Sequence, residues 1–203
     1  MPALTTSAAH PLRLAFLVPL LGLLLSGCGF NDIPTYEEQA KAKWSEVLNQ
    51  YQRRSDLIPN LVETVKGFAK QESGVLEAVT AARAAATSVK VDASTINDPE
   101  TFRKFQETQA QLSGSLGRLL AITEAYPDLK SNQNFLALQS QLEGTENRIA
   151  VARRDYIEAV RVYNTELRTF PGRIWASIFY SGNKPMEEFT VVDSVKAAPA
   201  VKF

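Results

Sequence analysis

The segment TYEEQAKAKWSEVLNQYQRRSDLIPNLVETV (residues 35–65) decides the fold. Its apolar residues Trp44, Tyr51, Ile58 and Val65 recur at sevenfold spacing, and the spacing runs on through Glu72, Val79 and Ala86. A companion row holds Leu48, Ser55, Val62, Ala69, Leu76 and Arg83. Two such rows fall on one side of an α-helix, because 3.6 residues complete a turn, so the pattern marks one buried stripe. Thr35 and Glu38 have capping-box spacing and place the helix start. The stripe stays in phase across Pro59 and Gly74, where a chain break would normally reset it. It therefore predicts one long helix over 35–88, on the order of 80 Å if straight. Pro59 should kink it, since proline lacks the backbone N–H and crowds the preceding turn. Two helices joined near Asp56–Pro59 are the alternative.

Downstream, Asp98-Pro99-Glu100 supplies an N-cap, a proline at the first helical position and an early acid. The stripe that follows is Phe102, Phe105, Leu112, Leu116, Leu119 and Tyr126, interrupted by Gln109 and Thr123. Ala125-Tyr126-Pro127-Asp128 ends it as a short loop. The next stripe starts near Ser131, runs from Phe135 to Phe170, and stops at Pro171-Gly172. Short loops between long amphipathic helices favour antiparallel neighbours. The expected fold is all-α: an antiparallel up-and-down four-helix-type bundle over 35–190 with a long kinked first helix. Gly114-x-x-Gly117 is expected to permit close helix approach. The cluster Ile174, Trp175, Ile178, Phe179 and Tyr180 should fold back over one end of the bundle, or else form a membrane or partner contact. Residues 191–203 read as a disordered tail.

The N-terminus carries a different signal. Leu14 to Leu25 is apolar, too short for the ~20 residues a spanning helix wants, and ends in Leu25-Ser26-Gly27-Cys28. Small residues before a lone cysteine form a bacterial lipobox. It predicts a signal peptide over 1–27, cleavage before Cys28, a lipidated Cys28 and a tether over 28–34. Two acyl chains on one cysteine give stable membrane anchoring. An uncleaved N-terminal helix is the alternative anchor, and plain secretion a third reading. Cleavage would remove His10, the only histidine, and leave no free thiol. It would also remove Arg13, leaving 21 Lys+Arg against 22 Asp+Glu. Such a balance gives no reason to expect nucleic acid as a partner.

The residues 52–62 (QRRSDLIPNLV), then Val65-Lys66-Gly67-Phe68-Ala69 and Glu72, resemble the N-terminal signature of the LemA family. Tyr126-Pro127-Asp128-Leu129-Lys130, Thr145-Glu146, Arg148-Ile149, Ala152-Arg153, Tyr163-Asn164 and Phe170-Pro171 continue it. The likeness covers roughly 36–190. It implies a membrane-anchored, mainly helical domain similar to a four-helix antiparallel bundle. It brings no mechanism, because the family has no agreed biochemical activity. Some members sit in magnetosome membranes, and others are encoded beside membrane zinc metalloproteases. Many relatives have a simple membrane helix where this chain has a lipobox. Some have a histidine before the glutamate matching Glu72, where this chain has Gln71.

After cleavage, histidine-based triads, histidine zinc sites and cysteine nucleophiles are excluded. No cofactor or metal is expected. Glu143 and Glu146 share a helix face, as a carboxylate pair for glycoside hydrolysis would require. Arg148, Arg153 and Arg154 beside them favour solvated ion pairs. Arg53, Arg54, Asp56 and Asn60 around the proline are the candidate partner-recognition residues. Glu72, Arg83, Glu146 and Arg153 are the candidate structural polar network, since a charge within a bundle is costly unless paired. The expected function is a lipid-anchored, non-catalytic helical scaffold or adaptor of the bacterial cell envelope. It would face the periplasm or exterior and bind envelope proteins, a membrane protease system among them, or itself. Gly29, where an aspartate would favour inner-membrane retention, tilts the expectation toward the outer membrane. The competing class is a carboxylate-based envelope enzyme or a polysaccharide-binding module.

Overall fold

The computed structural model describes residues 29–190, so the expected signal peptide 1–27, Cys28 and the expected disordered tail 191–203 lie outside the described residues. Six α-helices are present among these residues: α1 (Asp32–Phe68), α2 (Ser73–Ser88), α3 (Pro99–Thr123), α4 (Pro127–Lys130), α5 (Gln133–Glu166) and α6 (Gly172–Ile178). No strand occurs among them. The expected all-α antiparallel bundle of four-helix type is what forms, with α1, α2, α3 and α5 as its main members.

The partners across the bundle give the directions. Lys43 faces Asp155 and Arg54 faces Glu146, so numbers rise along α1 as they fall along α5. Trp44 packs on Phe102 and Tyr51 on Phe105, while Arg54 reaches Gln109, so α3 runs parallel to α1. α2 returns between them, with Arg83 bonded to Ser55.

Three expectations about the first helix are corrected. The single helix over 35–88 is two, α1 and α2, and the break falls at neither Asp56 nor Pro59. It is a turn around Ala69 and a short 3-10 stretch, Lys70–Glu72. The turn is polar and flanked by Gly67 and Gly74, which weaken helix on both sides. A sevenfold pattern records which face is buried, and the four-residue reversal between Phe68 and Ser73 leaves that face in phase. Pro59 sits inside α1 on its exposed side, and the helix runs on past it. The N-terminus also starts a turn earlier than the Thr35 capping box. Ile33 is fully buried, Thr35 N donates to Asn31 O within the helix, and Glu38 pairs with Lys41. Pro34 is tolerated because first-turn N–H groups have no helical partner. The stretch expected to be a tether is therefore folded from Gly29 onward.

Two hydrophobic clusters fill the bundle. Near the start of α1, Trp44, Tyr51, Phe102, Phe105, Tyr156 and Phe189 form an aromatic core with ring centroids about 5–6 Å apart. Beyond it, Ile58, Leu61, Val65, Leu112, Leu119 and Leu142 form an aliphatic one. Aromatic pairs at such spacings add to their area burial. Asp98 caps α3 as expected, accepting from Glu100 N and Thr101 N, and Asn132 caps α5 through Phe135 N. Gly114 and Gly117 do not bring helices together, since a side chain there would meet nothing within 4 Å. An extended segment, 184–190, lies between α3 and α5. Tyr156 Oη donates to Glu187 O, Asn164 bonds Met186 at both backbone groups, and Glu187 N donates to Ile96 O.

Candidate functional site

Arg54 is the hub of a polar layer between the two clusters. It lies one turn after Tyr51 and one before Ile58, on the buried stripe of α1, and is only 1% exposed. Its Nη1 donates to Ser113 Oγ (2.7 Å) and Glu146 Oε1 (2.9 Å), and its Nη2 to Gln109 Oε1 (2.5 Å). Its guanidinium also stands 4.9 Å from the Tyr51 ring centroid. One fork thus ties α1 to α3 and α5, a geometry that a guanidinium serves and an ammonium does not. Glu146 is 42% exposed, so the carboxylate stays hydrated while it neutralises a buried cation.

Arg83 adds α2 to the same layer. Pro59 has no N–H, so the carbonyl of Ser55, four residues earlier, has no helical donor. Arg83 Nε donates to that oxygen at 2.9 Å. The proline is thus accommodated by a donor from the neighbouring helix, and α1 continues instead of breaking.

The residues singled out in the sequence do not form one group. Arg54, Arg83 and Glu146 meet at this layer. Arg153 lies toward the aromatic core, its guanidinium 4.4 Å from the Phe189 ring centroid. It lines a cavity of about 70 Å³ with Tyr51, Gln106, Gln109 and Ser113. Burial pushes the Tyr51 hydroxyl pKa up, and the cations of Arg153 and Arg54 oppose that shift. Glu72 sits in the α1–α2 turn, at the far end of the bundle. Its Oε1 accepts from Tyr126 Oη (2.8 Å), which accepts from Gln71 Nε2 (3.0 Å). The bond to Glu72 holds the Tyr126 pKa above its ordinary value.

Of the four recognition candidates, Arg54 is interior and its side chain is not on offer to a partner. Arg53, Asp56 and Asn60 are exposed, and with Glu63 they follow 3-4-3 spacing along one stripe of α1. Gln52 Nε2 donates to Asp56 Oδ1 at 2.7 Å. Glu63 also borders a groove of about 680 Å³ between α1 and α2, with Val62, Lys66, Leu76, Thr80 and Ala84 in its walls. Glu143 and Glu146 are not a matched pair. Glu143 accepts from Gln139 Nε2, whereas Glu146 turns inward to Arg54 rather than to Arg148, Arg153 or Arg154. Among the described residues, no group of three or more His, Cys, Asp or Glu could hold a metal ion.

Gln109, Ser113, Gln71 and Tyr126 were not assigned roles from the sequence. A signal for one was present: Ser55 interrupts the stripe of α1 and Gln109 that of α3. Parallel helices bring such interruptions to one level.

An all-α bundle, cross-braced at a buried arginine and offering an exposed helix stripe with an adjoining groove, is the class that fold and site define. The chain belongs to the LemA family, whose model matches residues 43–203. It is similar to the magnetosome proteins MamQ 1 and MamQ 2 of Paramagnetospirillum magneticum, 27% identical over 176 residues. It is 26% identical over 176 residues to the magnetosome protein MamQ of Magnetospirillum gryphiswaldense. Each alignment covers 79% of this chain and 64% of the relative, so the chain spans less than two thirds of the length of these proteins.

Proposed function

We propose that this protein is a lipid-anchored helical scaffold or adaptor of the bacterial cell envelope, working by protein contact and without catalytic chemistry. The observation that carries this reading is the division of the α1 polar cluster. Inside the bundle Arg54 ties α1 to α3 and α5 and Arg83 supplies the donor that Pro59 lacks, while Arg53, Asp56 and Asn60 stand outside on the helix so braced. Among the described residues, Arg53 forms no ion pair, so a partner's carboxylate can meet it without displacing one. Cys28 would hold the chain to the membrane, an uncleaved N-terminal helix being the alternative, and the apolar run before it supports either. No helix among the described residues is long and apolar enough to cross a membrane. The magnetosome proteins it resembles give a membrane system as context. The expected placement is the periplasmic or exterior face, with the outer membrane favoured by Gly29, and self-association is one form the contact can take.

The test is in-cell photocrosslinking from positions 53, 56 and 60, with exposed Lys104 on α3 as the reference position. A reproducible protein adduct at the α1 stripe and not at 104 supports the scaffold. Recovery of glycan alone, or equal labelling at all positions, contradicts it and favours the polysaccharide-binding class.

A further inference from the structure

We infer that the end of the bundle where the chain enters at Gly29 is a bilayer-docking face, its occupant the interfacial region of the membrane. The inference rests on the proposed anchoring of the segment before Gly29 and adds a second contact with the same membrane.

Five large apolar side chains are exposed together at this end: Phe30, Phe170, Ile174, Ile178 and Phe179, the last two 62% and 58% exposed. The remaining exposed large apolar residues among those described, Phe68, Leu136 and Val151, are on other elements and lie singly. Apolar groups gathered at one end of a water-facing bundle mark a contact surface. The patch has a fixed shape, because Phe30 packs edge-on against Trp175 (5.7 Å) and Phe179 (5.4 Å), and Tyr180 Oη donates to Phe30 O (3.2 Å).

Chain connectivity selects the occupant. Gly29 lies against Pro171 and Trp175, with a positive φ of 89°. The peptide bond before it leads to Cys28 and the apolar run from Leu14 to Leu25. Whatever fixes that run or that cysteine in a bilayer delivers this patch to the same surface. The chemistry of the patch suits an interface. Tryptophan and tyrosine prefer headgroup depth, where an apolar body and a polar tip are both served. Trp175 is half-buried beneath Phe30 and Phe179, its Nε1 turned inward, so the ring backs the patch and the exposed Phe179 and Ile178 form its surface. From Leu167 to Met186 the chain carries Arg168, Arg173 and Lys184 and no carboxylate, a charge sign that anionic headgroups attract. The nearby acids Asp32, Glu37 and Glu166 belong to α1 and α5, Glu37 accepting from Asn183 Nδ2 at 2.7 Å, and Glu187 and Glu188 follow the segment in the chain. Burial and the Asp32 charge push the Glu166 carboxyl pKa up. Docked in this way, the bundle carries the stripe at Arg53–Asn60 roughly 35–45 Å along α1 from the lipid contact.

The test uses the full chain, reconstituted into vesicles of phosphatidylcholine and phosphatidylglycerol with plain or brominated acyl chains. Flotation reports anchoring, and bromine quenching of tryptophan reports the patch. Trp44 is 1% exposed in the aromatic core and serves as an internal reference. The expected result is flotation with loss of the Trp175 emission in brominated vesicles. Trp175→Phe should be insensitive to bromine, and an Ile178→Ser, Phe179→Ser double variant should float but lose the quenching. Both changes in that variant are at exposed positions, so folding is retained. Flotation with equal Trp175 emission in the two vesicle types overturns the inference while leaving the anchor intact. It would show the face turned to water, to the chain's own leader or to a second copy. Absence of flotation overturns both.

Discussion

At the residue scale, one side chain joins three helices. Arg54 has three polar partners, the Tyr51 ring beside it and a position between two apolar clusters, so its loss removes both packing and an inter-helix tie. Arg54→Ala should cost about 3 kcal/mol or more, read by urea unfolding. Arg54→Lys should recover little, because an ammonium cannot reach Gln109, Ser113 and Glu146 in one plane. Glu146→Gln keeps an acceptor but leaves the Arg54 cation buried without a counter-charge, and should cost about 3 kcal/mol. A second residue-scale constraint is Gly172: a methyl group there would collide with the backbone and carboxylate oxygens of Glu166. Gly172→Ala should therefore cost about 1–3 kcal/mol, seen as a lower Tm in a thermal melt. The sequence offers Arg54 as one of the polar residues around Pro59, a candidate for partner recognition, and does not say on which side of the helix it lies. Arg53, Arg54 and Asp56 look alike in one dimension, and only the angular position of each about α1 separates a buried hub from an exposed stripe. Gly172 reads as a helix stop, and its close approach to Glu166 is invisible until the chain folds back.

At the element scale, the continuity of α1 past Pro59 depends on α2. Arg83→Leu should leave the buried Ser55 carbonyl without a donor and cost roughly 1–3 kcal/mol. In a Pro59→Ala background the residue at 59 supplies its own N–H, and the same change should cost about 1 kcal/mol less. A double-mutant cycle measures the difference, and strict additivity would remove Arg83 from this role. The start of α3 gives a pH prediction. Hydrogen bonds from Thr101 hold the Asp98 carboxyl below its ordinary value. A depressed folded-state pKa adds stability that is present above the ordinary carboxylate value and is lost as pH falls through the folded one. Asp98→Asn keeps the cap without the titration, so its Tm should fall less steeply than that of the parent protein below about pH 4. The cap at Asp98-Pro99 was legible in the sequence because it is local chemistry, whereas the Thr35–Glu38 spacing lies inside α1 and does not start it. The break at Ala69–Glu72 was not legible. Gly67 and Gly74 flank it, but the preserved sevenfold phase masked a reversal that changes direction without changing face.

At the scale of the whole molecule, the bundle has an aromatic end, a polar waist and an aliphatic end. The first described residue, Gly29, and the exposed apolar patch share the first of these, and the proposed lipid anchor would precede Gly29 in the chain. The all-α class and the four-helix arrangement follow from the stripes, because each long stripe needs a neighbour to cover it. The extended 184–190 segment was not legible: Met186 and Phe189 are buried by wedging between α3 and α5, a tertiary event with no period of its own. The distances also relate anchor and working surface, since the braced α1 holds Arg53, Asp56 and Asn60 clear of the end at which the chain enters. The proposed anchor is a covalent lipid on Cys28, and metabolic labelling with palmitate tests it most directly. Cells producing the wild-type chain and Cys28→Ala should differ completely: label enters the wild-type protein and is absent from the variant. Equal labelling of both proteins, or labelling of neither, would contradict the account.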